Sequence, residues 1–136
     1  MIIGGRAHSI EEVERVAKEG FDFAEISITD PEHFLRHELE PLLRLKDRYG
    51  IYYLGHGPEE GNAWEPSALR QDFLPGIMSI IGCLARLSID ILTIHFWLDK
   101  RFFSDTVLDD KLKILSDMAM TADEKGVNLC IENLSE

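Results

Sequence analysis

Apolar residues gather in five short runs, at residues 2–5, 23–28, 51–54, 91–96 and 128–133, separated by longer stretches in which they return every three or four positions. Runs of that length read as strands and stretches of that period as helices, so the chain alternates β and α from end to end. Such alternation predicts a parallel sheet with helical crossovers, because parallel neighbours cannot be joined by a tight turn. The fold class is therefore α/β, either a barrel or a doubly wound sheet.

The helical stretches mark their own ends. Ser9 followed by Glu12 is a capping box, Val13, Val16 and Ala17 make an apolar stripe, and Gly20 supplies the stop, which predicts a helix over residues 10–19. Asp30 before Pro31 places a cap ahead of an N1 proline, and Phe34, Leu39, Leu42 and Leu45 carry the period on to Gly50. Pro41 should kink or split that helix. A third region, residues 66–88, has Leu69, Phe73, Ile77, Ile81 and Leu84 on its buried side and an expected kink at Pro75 and Gly76. The fourth, residues 106–125, carries Leu108, Leu112, Leu115, Met118, Ala119 and Ala122. No linker or low-complexity segment interrupts the pattern, so residues 1–136 read as a single domain.

Ionisable residues fall at the ends of four successive strands: Glu25, His56, His95 and Glu132. In a parallel barrel the βα loops converge at the carboxyl ends of the strands, and the active site lies there. A carboxylate within the apolar run Cys130-Ile131-Glu132 needs a cation or donor to offset its desolvation. If the four face one cavity, carboxylate and imidazole together suit a divalent ion such as Mn2+, Mg2+, Co2+ or Zn2+. The loop from Gly55 to Pro66 is long and glycine-rich, as functional loops tend to be. Within and beyond it, Trp64, Phe96 and Trp97 can wall a sugar's carbon face, and Lys100 and Arg101 can hold a phosphate.

Charge narrows the partners. With 25 acidic against 14 basic residues the net charge is -11, a field that repels phosphate backbones and anionic lipid, so neither nucleic acid nor membrane is expected. The longest apolar stretch is broken by Pro75, Arg86 and Asp90 and falls short of the roughly 20 residues of a membrane span. Cys83 and Cys130 sit in apolar runs without CxxC spacing, which reads as two buried, reduced thiols in a cytoplasmic protein.

Taken together, these segments resemble the xylose isomerase-like barrels, the superfamily of sugar phosphate isomerases and epimerases to which apurinic-site endonucleases are related. GFDFAEISI is similar to the second-strand signature, in which a glycine, an aromatic residue and a strand-borne glutamate follow one another. GHGP with Asn62 resembles the loop after the third strand, TIHFW the fourth-strand histidine, and VNLCIENLSE the fifth strand, whose Glu-Asn begins the metal site.

The resemblance implies a (β/α)8 TIM barrel of which the first five strands and four helices are present. It implies Glu132 as metal ligand and catalytic carboxylate, one of two that move a proton beside a carbonyl. His56 and His95 would meet the substrate, a small carbohydrate, with Glu25 as a supporting residue near the site and Trp64, from the loop reading, as its apolar wall, or the two histidines would bind zinc if the chain follows the endonuclease branch. Later strands of the family supply an aspartate, further histidines and the second glutamate, none of which lies within 136 residues. The expectation is therefore a fragment of a larger isomerase or epimerase, inactive alone, or a half-barrel that pairs with another copy; a non-catalytic assembly module is the reading outside enzymology.

Overall fold

Side chains on successive strand residues point to opposite faces, and in this protein the two faces meet different surroundings. A computed structural model describes residues 1–132. Its strands β1 (Gly4–Ala7), β2 (Phe23–Ser27), β3 (Tyr52–His56), β4 (Ile91–His95) and β5 (Asn128–Glu132) form one sheet in sequential order, with every pairing parallel. This is the expected α/β architecture, five consecutive strands of a barrel wall. On one face Ala24, Ile26, Tyr53, Leu92 and Ile94 are buried under the helices. On the other, register aligns Ser27, His56, Thr93 and Cys130 in one row and His95 with Glu132 beyond it.

The first strand begins later than the apolar run suggests, at Gly4 rather than Ile2, and extends to Ala7. Ile2 and Ile3 are exposed while Ala7 is 1% exposed. Close packing decides this: a Cβ on Gly4 would lie 2.2 Å from the Phe23 ring, so the glycine serves the sheet despite its poor strand propensity. The third strand likewise extends past residue 54, because Gly55 and His56 continue the ladder with Ile26 and Ser27. The fifth reaches Glu132, and Asn133 lies outside the described residues.

The first helix, α1 (Ile10–Lys18), is capped by Ser9 Oγ, which accepts from the Glu12 N–H at 3.2 Å. Glu12 reaches back one residue further than an ordinary capping box, accepting from the His8 N–H at 2.7 Å. After the Asp30 cap, α2 (Pro31–His33) passes through a π-turn (Phe34–Glu38) into α3 (Leu39–Tyr49), which ends at Gly50 with φ 67°, a conformation glycine adopts without strain. The third region repeats the device: α4 (Pro66–Ala68), a π-turn (Leu69–Phe73), then α5 (Leu74–Leu84) and a short 3-10 turn.

Each helical region is divided near its proline, and the interruption is a π-turn. Pro41 and Pro75 sit in the first turns of α3 and α5, and each is preceded by a turn widened to an i to i+5 bond, from the Leu39 N–H to Phe34 O and from the Leu74 N–H to Leu69 O. A proline lacks the amide that would close a tight turn and its ring crowds the carbonyl four residues back; opening the preceding turn relieves both. The buried face of α5, with Ile77, Ile80, Ile81 and Leu84 all 0% exposed, contributes about 1.5–3 kcal/mol per side chain relative to exposure.

The last helix, α6 (Asp105–Glu124), is capped by Ser104. Its buried positions are Lys111, Ile114, Met118 and Ala122, whereas Leu112 and Ala119 from the expected stripe are exposed. Cys83 is buried as expected, but Cys130 is exposed. Its row on β5 belongs to the face away from the helices, where no described residue covers it. Both thiols are free, and among the described residues no helix is long and apolar enough to cross a membrane.

Tyr53 ties the sheet to α3, its hydroxyl donating to Leu42 O at 2.8 Å. Burial pushes this phenol up to about 12, against about 10 in an unfolded chain. Between those values the unfolded state binds fewer protons than the folded one, so this stabilising contribution is complete below pH 10 and is lost as pH rises toward 12. Thermal melts should show Tyr53→Phe to be about 1 kcal/mol less stable at neutral pH, with a shallower decline between pH 10 and 12 than the parent.

Candidate metal centre

Because all strands run the same way, their last residues gather at one end of the sheet. His56, His95 and Glu132 are the final residues of β3, β4 and β5. His95 is the register partner of Glu132, while His56 pairs with Thr93, two residues before His95 on the same face. Side chains from adjacent strands therefore meet without any loop having to reach across.

The contacts form a chain over four strands. Glu25 Oε1 lies 3.2 Å from His56 Nδ1, His56 Nε2 lies 3.2 Å from His95 Nε2, and His95 Nε2 lies 2.9 Å from Glu132 Oε2. The rings stand edge to face at 81°. Side-chain exposure is 25% for Glu25, 5% for His56, 17% for His95 and 48% for Glu132, so the histidines in the middle are the most enclosed and the Glu132 end meets solvent most openly.

With Glu25 accepting the His56 Nδ1 proton, the neutral ring presents its Nε2 lone pair to His95 and Glu132. One donor atom each from His56, His95 and Glu132 lies within 4.8 Å of the others. Ligands held tetrahedrally at 2.0–2.1 Å from zinc are about 3.3 Å apart, close to the two contacts at His95 Nε2. Two imidazoles and a carboxylate thus fit a divalent ion, and Glu25 occupies the outer position that fixes a ligating histidine's tautomer and orientation. The buried His95 Nδ1 has no hydrogen-bond partner among the described residues.

Beside the centre lies a groove of about 190 Å³ lined by Glu59, Glu60, Trp64, His95, Trp97 and Glu132 among others. Trp64 and Trp97 meet edge to face at 5.5 Å, with Phe103 packed against both. The long loop thus brings Trp64 to the groove that Glu132 borders, and Phe96 is buried beneath it. Lys100 and Arg101 are not in its lining. Arg101 folds back on Asp99, which holds that carboxyl below its usual range and raises the guanidinium.

Sequence reasoning missed Glu60 and Lys111. Lys111 is 0% exposed, its Nζ donating to Glu60 Oε2 at 2.7 Å and to Ala63 O at 3.2 Å. Desolvation pushes this ammonium down, and Glu60 offsets part of that effect. The available signal was the spacing of Lys111 to Ile114, Met118 and Ala122, which puts a lysine on the buried face of α6.

If Glu25 orients His56, Glu25→Ala should weaken Co2+ binding about 10- to 100-fold while leaving the circular dichroism spectrum unchanged. Calorimetric titration checks this, and an unaltered affinity would remove Glu25 from the centre.

A family model described as xylose isomerase-like TIM barrel matches residues 13–136. None of the curated proteins compared matches the chain in sequence. Among solved structures, a D-tagatose 3-epimerase-like protein superposes with a TM-score of 0.81 at 20% identity, covering 100% of this chain and 54% of that one. The D-allulose 3-epimerase from Methylomonas sp. gives 0.77 at 18% identity, covering 99% and 52%. An AP endonuclease of family 2 from Brucella melitensis gives 0.73 at 14% identity, covering 98% and 56%. The chain thus spans about half the length of these structures, and at such identities the likeness concerns the fold. From the family match over most of its length and the parallel β/α wall that carries it, the chain belongs to the xylose isomerase-like TIM barrel family.

Proposed function

We propose that His56, His95 and Glu132 contribute to the active site of a metal-dependent isomerase or epimerase acting on a sugar or sugar phosphate. The observation that supports this most is the convergence of the three donors at the rim of an aromatic-lined groove. A bound Mn2+, Mg2+, Co2+ or Zn2+ would supply Lewis-acid polarisation of the substrate carbonyl.

The remaining steps belong to the side chains. Glu132 has one oxygen against His95, and its half-exposed carboxylate can take a proton from the carbon beside the carbonyl, as a general base in reach of its substrate. His56, oriented by Glu25, and His95 would hold the ion through Nε2 beside that carboxylate, and so set where the substrate carbonyl lies. Trp64 and Trp97 can cover the sugar's carbon face and exclude water. Glu59, Glu60 and Glu132 line the groove with no unpaired cation among its described residues, which favours an uncharged sugar over its phosphate. The free thiols accord with a cytoplasmic setting.

The two imidazoles and one carboxylate, together with the likeness to an AP endonuclease structure, support a second reading as a zinc phosphodiesterase. The net charge of -11 and the acidic groove oppose DNA in the same site.

The test is to incubate the intact protein with Co2+ or Mn2+ and D-tagatose, D-psicose or D-fructose in D2O. The proposal expects an epimer or isomer carrying deuterium at the reacting carbon, at a rate reduced about 10²- to 10⁴-fold by Glu132→Gln. Cleavage of abasic DNA with no sugar turnover would contradict it in favour of the second reading.

A further inference from the structure

The one charged side chain fully buried among the described residues is also the strut between the two loops that form the groove. Lys111 on α6 lies 0% exposed, its Nζ 4.7 Å from the Phe96 ring centroid and 4.6 Å from that of Phe103. It holds Glu60 Oε2 and Ala63 O of the loop after β3. The same Glu60 carboxylate accepts from the Trp97 N–H through Oε1 at 2.8 Å, in the loop after β4. One ion pair therefore connects α6 to both loops, one bond from Trp97 and one residue from Trp64.

Stability alone does not account for it. A buried ion pair is often no more stabilising than apolar groups of the same volume, and Ile114, Met118 and Ala122 show that the rest of this helix face is satisfied by such groups. What an apolar replacement cannot do is bond two backbones and a carboxylate at fixed positions.

We infer that the Lys111–Glu60 pair is a positioning device: it sets the Trp64–Trp97 wall against the Glu132 end of the metal centre, and so fixes how the groove's ligand lies. Lys111 is outside the groove's lining, while Glu60 borders it; the positioning role of the pair is exerted through the two indoles. That the wall receives a sugar rests on the carbohydrate reading above, whereas that the pair sets the wall rests on the geometry alone.

The protein's composition supplies a direct readout, since it has 2 tryptophans and both are in this wall. Glu60→Gln with Lys111→Met removes both charges at nearly constant volume, and Glu60→Asp keeps the charge but shortens the arm if the double variant does not fold. With Co2+ bound, the expected result is an unchanged Co2+ absorption spectrum and a cooperative melt. Acrylamide quenching of tryptophan emission should rise about twofold as the loops open locally. With D-fructose as probe, kcat/KM should fall about a hundredfold through misplacement of the substrate, mainly in KM. Parental quenching and emission in the folded variant would overturn the inference and leave Lys111 as a core filler. Absence of sugar turnover in the parent would instead count against the carbohydrate reading, and the fluorescence comparison would still decide the strut.

Discussion

Strictly sequential parallel pairing is the constraint on which the rest of this protein depends. It forces a helix between every two strands, because no short turn reverses the chain twice. It also points every strand's carboxyl end the same way. Once register is set, the alternation of side chains across the sheet leaves no freedom in which residues share a face. His56, His95 and Glu132 are neighbours because each closes a strand on the face away from the helices, with Glu25 one strand further on.

The helices hold that sheet by an uninterrupted apolar layer, from Val13 and Leu42 to Ile77, Leu84 and Met118. The two prolines, expected to kink or split their helices, each follow a π-turn, and α3 and α5 keep buried faces. Among the described residues the one charged group fully buried in that helix layer is Lys111. That ammonium lies 4.7 Å from the ring centroid of Phe96, the residue after β4, and is bonded to the loop that borders the strand ends, which joins the outer helix layer to the rim of the site.

The strands, the four helical regions and three strand-end ionisable residues, His56, His95 and Glu132, were legible in the sequence, because each follows from period, caps and position, whereas Glu25 lies mid-strand in β2 rather than at its end. What escaped has physical reasons. β1 runs on through Arg6 and Ala7, beyond the expected residues 2–5, while Ile2 and Ile3 are exposed despite their apolar character. Of the expected α6 stripe Met118 and Ala122 are buried, but Leu112 and Ala119 are exposed because Lys111 and Ile114 take the core positions beside them. Cys130 was expected inside because its neighbours are apolar, but on β5 it belongs to the concave row. Arg101 looked available for an anion until its pairing with Asp99 was seen.

The account stands on one claim, that two histidines and a glutamate from three successive strands hold one divalent ion. X-ray absorption at the zinc edge on the protein loaded with Zn2+ tests it most directly. The account predicts one ion per chain with two imidazole ligands and a carboxylate oxygen in a shell at about 2.0–2.1 Å, both imidazole contributions disappearing in the variant carrying His56→Ala and His95→Ala. An ion bound without imidazole, or a spectrum unchanged by that double substitution, would contradict it.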